Sequence, residues 1–337
     1  VDAPGAGAEV VTARAAVVLL LGAGLAACAG ADATSDQTGT WTVNHIEDRG
    51  ALLSVWGSSP TDIWAAGGQV DRGLLLHGDG TGWTAADIDA PAMLTWVYGF
   101  SAEDIYAVGD RGLILHYDGS DWTQVASGTD LPLYGIWGHS GDDVWIAGGD
   151  PASTGGTAVL LRGSGDRFER VLIPTELAPA ALYKAYGFSA DDFIAVGSGG
   201  TVLRWDGVWR TEPTPTAEPL FSLWGRGEDD IYAVGGYTRG EVLHYDGATW
   251  RRVAEETPDG LSGVFTTRDG PAIAVGTDSY VLELMLDGSE VEPEMPVLDP
   301  VPSLHGVWGD GAGTIYAAGG DLFASPGPMS GVIMQRR

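Results

Sequence analysis

Residues 94–122 read LTWVYGFSAEDIYAVGDRGLILHYDGSDW, one copy of a unit that returns along most of the chain. Each copy opens with Leu, sets an aromatic residue four positions later, and reaches a Gly eleven positions beyond that. The leucines are Leu52, Leu94, Leu133, Leu182, Leu220, Leu261 and Leu304. The aromatics are Trp56, Tyr98, Trp137, Tyr186, Trp224, Phe265 and Trp308, and the glycines are Gly67, Gly109, Gly148, Gly197, Gly235, Gly276 and Gly319. All seven copies keep this spacing, with 38 to 49 residues from one copy to the next. A fixed period of this length marks a repeat architecture, which takes precedence over any local motif.

Working outward, the copy that starts at residue 51 divides into four short runs: ALLSVWG (51–57), DIWAAGG (62–68), GLLLHGDG (73–80) and WTAADI (83–88). Runs rich in β-branched and aromatic residues, bounded by Gly and Asp, read as strands. No stretch of the body sustains a helical period. Four strands per unit and seven units predict an all-β, seven-bladed β-propeller over residues 41–337.

The ends predict how the ring closes. GTWTVNHI (39–46) places Trp41 where other units carry the fourth-strand residues Trp83, Trp122, Trp209 and Trp250. The last unit stops at a third strand, GVIMQRR (331–337). The N-terminal strand is therefore expected to complete the last blade and remove an open edge.

Three recurring positions are expected to serve the scaffold. The glycines after the second strand suggest positive φ at a turn. Asp62, Asp104, Asp143, Asp192 and Asp230, just before the second strand, suggest side chains that bond turn amides. His77, His116, Arg162, Arg204 and His244 share one third-strand position and, held apart on separate blades, read as scaffold rather than metal ligands.

The chain has 46 acidic residues against 17 Lys and Arg, and 44 against 16 once residues 1–27 are set aside. Such a surface disfavours nucleic acid and peripheral adhesion to anionic membranes. Residues 15–27, AAVVLLLGAGLAA, are too short to span a bilayer and follow Arg14, which reads as an export signal. Leu25-Ala26-Ala27-Cys28 resembles a bacterial lipobox, which implies cleavage before Cys28 and lipidation of this sole cysteine. Residues 28–40 then read as the lipidated Cys and a flexible tether. Ala29 after the cysteine implies sorting to the outer membrane, on its periplasmic or its outer face.

The hairpins HGDGTGW (77–83), HYDGSDW (116–122), RWDGVW (204–209) and HYDGATW (244–250) resemble those of BNR or Asp-box propellers. The wider unit is similar to that of repeat lipoproteins and photosystem-assembly-factor-like propellers. The resemblance covers residues 41–337 and implies the fold rather than an activity. His or Arg stands where a full Asp-box has Ser or Thr, and the sixth unit has no Trp after Asp287-Gly288.

Some Asp-box proteins are sialidases, whose chemistry needs converging arginines, a Tyr–Glu pair and an acid. Arg72, Arg111 and Arg239 stand in second-to-third-strand loops at equivalent positions, which suggests turn or rim roles. Lys184, the only lysine, lies on an innermost strand and is expected to face the channel, free or paired with a rim carboxylate. No catalytic set, phosphate loop, metal cluster or cofactor motif emerges.

Function in a propeller lives where loops depart from the repeat. DPASTGG (150–156), IPTELAPAA (173–181), TEPTPTAEP (211–219), EVEPEMPVLDPVPS (290–303) and DLFASPGPMS (321–330) all belong to one face. Candidate ligand contacts are Lys184, Arg72, Arg111, Arg239, Tyr237 and Phe323, the last two being the aromatics of an otherwise aromatic-poor loop set. The reading is a monomeric, non-catalytic, lipid-anchored binding or scaffolding propeller of the bacterial envelope, with a protein partner. The alternatives are a glycan-binding, lectin-like module and a degenerate glycoside hydrolase.

Overall fold

The computed structural model describes residues 39–337, apart from 190, 238, 255, 256, 258, 259, 287 and 323–327. Cys28 with the export signal, and Phe323, lie outside the described residues. Seven four-stranded antiparallel sheets follow one another around a ring. Their innermost strands are Ala51–Ser59, Leu94–Ser101, Leu133–Ser140, Leu182–Ser189, Leu220–Gly227, Leu261–Thr266 and Ser303–Gly309. Helical structure among the described residues is confined to three single 3₁₀ turns.

The closing strand is the expected one. Thr42–Glu47 pairs antiparallel with Gly331–Arg336 and forms the outer edge of the seventh blade. Trp41 beside it is 1% exposed and packs in one cluster with Val332 and Met334. Behind it, Arg336 is ion-paired with the buried Glu283 and lies over the Trp41 ring at 5.8 Å.

The repeated leucines are fully buried between neighbouring blades, because sheets stacked face to face cover both sides of each inner strand. The aromatic–glycine step of the repeat has a packing cause. Trp56 lies where a Cβ on Gly99 of the next blade would stand, Phe265 blocks Gly309, and Trp308 blocks Gly57. Each ring thus fills the gap that the next blade's glycine leaves open.

The glycine after the second strand does not adopt positive φ. Gly109, Gly197 and Gly276 are extended, at φ −166, −164 and −160. They are glycine because of close approach: a Cβ on Gly67, Gly109 or Gly235 would overlap the carbonyl oxygen of Ala51, Met93 or Pro219, the residue just before the opening Leu. The left-handed residue falls later, at Gly68, Gly149 and Gly236 in three blades, and at Arg111, Gly199 and Asp278 in three others.

The recurrent Asp also differs from expectation. Its carboxylate reaches the third-strand His or Arg instead of the turn amides: His77 Nε2 lies 2.8 Å from Asp62 Oδ1, and His244 Nε2 2.8 Å from Asp230 Oδ1. Arg162 and Arg204 meet Asp143 and Asp192 in the same way, at 2.5 and 3.0 Å. Turn amides are capped by the hairpin aspartates, with Asp79 Oδ1 accepting from Gly82 N and Asp118 Oδ1 from Asp121 N.

Candidate functional site: a cup built from seven bulges

In every blade the pairing of the first and second strands slips by one residue just after the opening Leu, as between Leu182 and Lys184 or Leu220 and Ser222. The residues left unpaired are Leu53, Thr95, Tyr134, Tyr183, Phe221, Ser262 and His305. A bulge re-aims the side chain it carries. All seven line a single cavity of about 490 Å³ at the mouth of the central channel.

The remaining lining fixes which face the cavity opens on. Asp110, Tyr237, Thr277 and Asp321 come from second-to-third-strand loops, and Met93 and Gly260 from the connections leading into the first strands. That is the face to which the variant, Pro-rich loops belong.

Three consecutive blades contribute an aromatic bulge residue, and Tyr237 extends the series. The ring centroids of Tyr134 and Tyr183 are 5.3 Å apart, those of Tyr183 and Phe221 5.1 Å, and those of Phe221 and Tyr237 5.3 Å. Successive rings are inclined by 52°, 66° and 67°, so they turn about the mouth as a curved wall. Tyr237 at its end is 63% exposed. Leu53, Thr95, Ser262, Ser303 and His305 complete the lining.

The ionisable groups of the cup are acidic or neutral. Burial raises the Asp110 carboxyl above the ordinary range, against the pull of nearby Arg111. Burial raises the Tyr134 hydroxyl, reinforced by Tyr183 and the Asp110 and Asp150 carboxylates. The Tyr183 hydroxyl, 3.3 Å from Ser198 Oγ, is pushed up by burial to about 12. His305 is lowered by burial, and its Nε2–H donates to the Gly320 carbonyl at 3.1 Å.

Trp96 forms the floor, and Lys184 lies beneath it with Nζ against the indole ring. The channel below is filled by Trp56, Tyr98, Trp224, Phe265 and Trp308, leaving about 10 Å³, no more than about one water. The cup is therefore blind at this level.

Lys184 faces the channel as expected, but no rim carboxylate meets it. Among the described residues its Nζ has no hydrogen-bond partner, it is 3% exposed, and burial lowers its pKa well below the ordinary value. Tyr237 lines the cup. Arg72, Arg111 and Arg239 do not, and they occupy exposed positions in blades 1, 2 and 5. Arg111 donates to the Pro91 carbonyl at 3.4 Å, a rim contact of the kind its sequence position suggests.

Sequence reasoning sought aromatics in the variable loops and missed Tyr134, Tyr183 and Phe221, which belong to the repeat. Their signal was the residue directly after the opening Leu, aromatic in three successive copies.

These features define a seven-bladed β-propeller with an aromatic cup at one end of its axis. No known protein-family profile matches the chain, and no curated protein does. Solved structures do match. YCF48 bound to D1 peptide superposes with a TM-score of 0.63 at 14% identity, over 88% of this chain and 96% of that one. YCF48 from Cyanidioschyzon merolae gives 0.65 at 12% over 88% and 99%. The WD40 propeller domain of Doa1 gives 0.65 at 13% over 88% and 97%. At such identities the likeness is one of fold.

Proposed function

We propose that the chain is a non-catalytic binding module that holds a segment of a protein partner in the cup at the channel mouth. The single observation that carries this reading is the cup itself: seven bulges aim side chains of six kinds into one space, where a purely structural repeat needs no such variety. Aromatic, aliphatic and hydroxyl groups dominate the lining, and the arginines a sialidase-like reaction would use lie elsewhere. A propeller of the same fold has been solved with a peptide bound, which makes peptide capture a use this architecture supports.

The proposal includes an address in the bacterial envelope, with export and a lipid anchor on Cys28 at the outer membrane, supported by the lipobox-like Leu25-Ala26-Ala27-Cys28. A Cys28→Ser chain should then leave the membrane fraction on cell lysis. Retention there would remove the anchor from the proposal.

The aromatic wall also favours a second reading, a surface glycan stacked on the rings. A photo-cross-linking residue placed at Tyr237 in cells separates the two. A discrete protein adduct, absent when the label sits at Ser120 and lost with Phe221→Ala, supports the partner reading. A polysaccharide adduct replaces it with the glycan.

A further inference from the structure

We infer that the group seated in the cup is a cationic side chain of the partner, an arginine or lysine clasped by the rings of Tyr134, Tyr183, Phe221 and Tyr237 and faced by the Asp110 and Asp321 carboxylates. The inference rests on the reading of the cup as a partner-binding site and names the chemistry of its guest.

Charge is the first ground. The cup is lined by two aspartates and by a histidine whose burial opposes protonation, and no lysine or arginine is among its lining residues. The one lysine nearby is below the Trp96 floor, where burial disfavours its charged form. An anionic guest would meet the like charge of both aspartates. A cationic guest would add to the pull of nearby Arg111 on Asp110, which makes no side-chain hydrogen bond among the described residues and whose ionised form burial disfavours.

Ring geometry is the second ground. The faces of Trp, Tyr and Phe attract cations through the ring quadrupole, more strongly where the pair is desolvated. Rings inclined to one another by 52–67° along the wall would offer a compact charge contact from more than one direction. A sugar ring would stack on one ring of the wall, whereas a compact charge can meet several at once. Size agrees: about 490 Å³ holds a long side chain together with its flanking residues.

The test titrates the full-length chain in detergent, by calorimetry, with five probes: acetyl-Gly-Gly-X-Gly-Gly-amide with X as Arg, Lys, citrulline or Glu, and free choline. Citrulline keeps the shape of arginine and removes its charge. Arg or Lys peptide is expected to bind roughly tenfold or more tightly than citrulline, the 1.4 kcal/mol that a ring cage and a carboxylate supply together. Glu peptide should not bind. Asp110→Asn and Phe221→Leu, each checked for an unchanged melting temperature, should each erase most of the preference.

Equal binding of Arg and citrulline peptides would overturn the cationic assignment and leave the cup a binding site. Choline binding without binding of any peptide would overturn the assignment to a side chain of a protein partner and point to a free ammonium compound. If no probe binds while Tyr237 still cross-links a protein, the cation falls and the partner reading stands. If neither occurs, both fall.

Discussion

His116 Nε2 lies 2.8 Å from Asp104 Oδ1 while its ring stacks on Tyr106 at 4.3 Å and 15°. One contact therefore ties the start of the second strand to the middle of the third. Four other blades repeat it, and in two of them arginine stands for histidine, as with Arg162 over the Trp145 ring at 4.7 Å. What the position needs is a donor with a flat face. His116→Arg is accordingly expected to hold its urea midpoint close to the parent's, while His116→Ala loses about 0.5–1.5 kcal/mol because Asp104 loses its Nε2 contact. A loss in His116→Arg equal to that in His116→Ala would show that the imidazole itself is required.

Lys184 costs the fold stability. The residue is 3% exposed, and its amine rests on Trp96 with no hydrogen-bond partner among the described residues. Lys184→Met should raise stability by about 1–3 kcal/mol at neutral pH, the typical cost of an unsatisfied buried polar group. The sign with pH follows from a folded pKa below the unfolded 10.5. Between the two the unfolded chain binds more protons, so the parent gains stability as pH rises toward 10.5. The difference between parent and variant in denaturant midpoints from pH 7 to 10 should shrink accordingly, and a constant difference would contradict it.

Glu47 works in the opposite sense. Burial resists its ionisation, but the backbone and guanidinium N–H groups of Arg49 outweigh that and bring its pKa from 4.5 to about 2. Its contribution is complete above 4.5 and is lost as pH falls toward 2. Because Arg49 is half exposed, about 1–2 kcal/mol is the expected size. Glu47→Gln should therefore be less stable than the parent at pH 6 and nearly equal to it near pH 2, read as melting temperatures.

Two glycines distinguish lack of space from backbone strain. Gly109 is extended, yet a Cβ there would strike the Met93 carbonyl, whereas Gly128 has φ +71 and nothing within 4 Å of its absent Cβ. Gly128→Ala should cost about 1–2 kcal/mol, the usual left-handed penalty. Gly109→Ala should cost more than that, since two paired strands must separate. The reverse order in chemical denaturation would mean that the glycine repeat serves conformation after all.

The fold was legible because leucine, aromatic and glycine keep one spacing through seven copies, and blade packing needs all three. Closure could be read from Trp41 because it matches the fourth-strand tryptophans. The cup was not legible, because its residues sit inside the repeat at a position free to vary. Only the slip in pairing after each opening Leu reveals that Leu53, Tyr134 and His305 face one space. The Asp–His contacts were hidden for a related reason: Asp104 and His116 lie 12 residues apart, and spacing alone does not show which partner a carboxylate takes.

Closure by the first strand also sets a timetable. Thr42 bonds to the Gln335 carbonyl across 293 residues, so this strand waits for a partner made much later. At about 5–20 residues per second, that wait on the ribosome is roughly 15–60 s. Throughout it Thr42–Glu47 has no edge to join. Its sequence, TVNHIE, sets amide, imidazole and carboxylate groups around only two apolar residues, a composition that discourages pairing with a neighbouring nascent chain. The strand that seals the ring is thus also the one that must remain harmless until the ring exists.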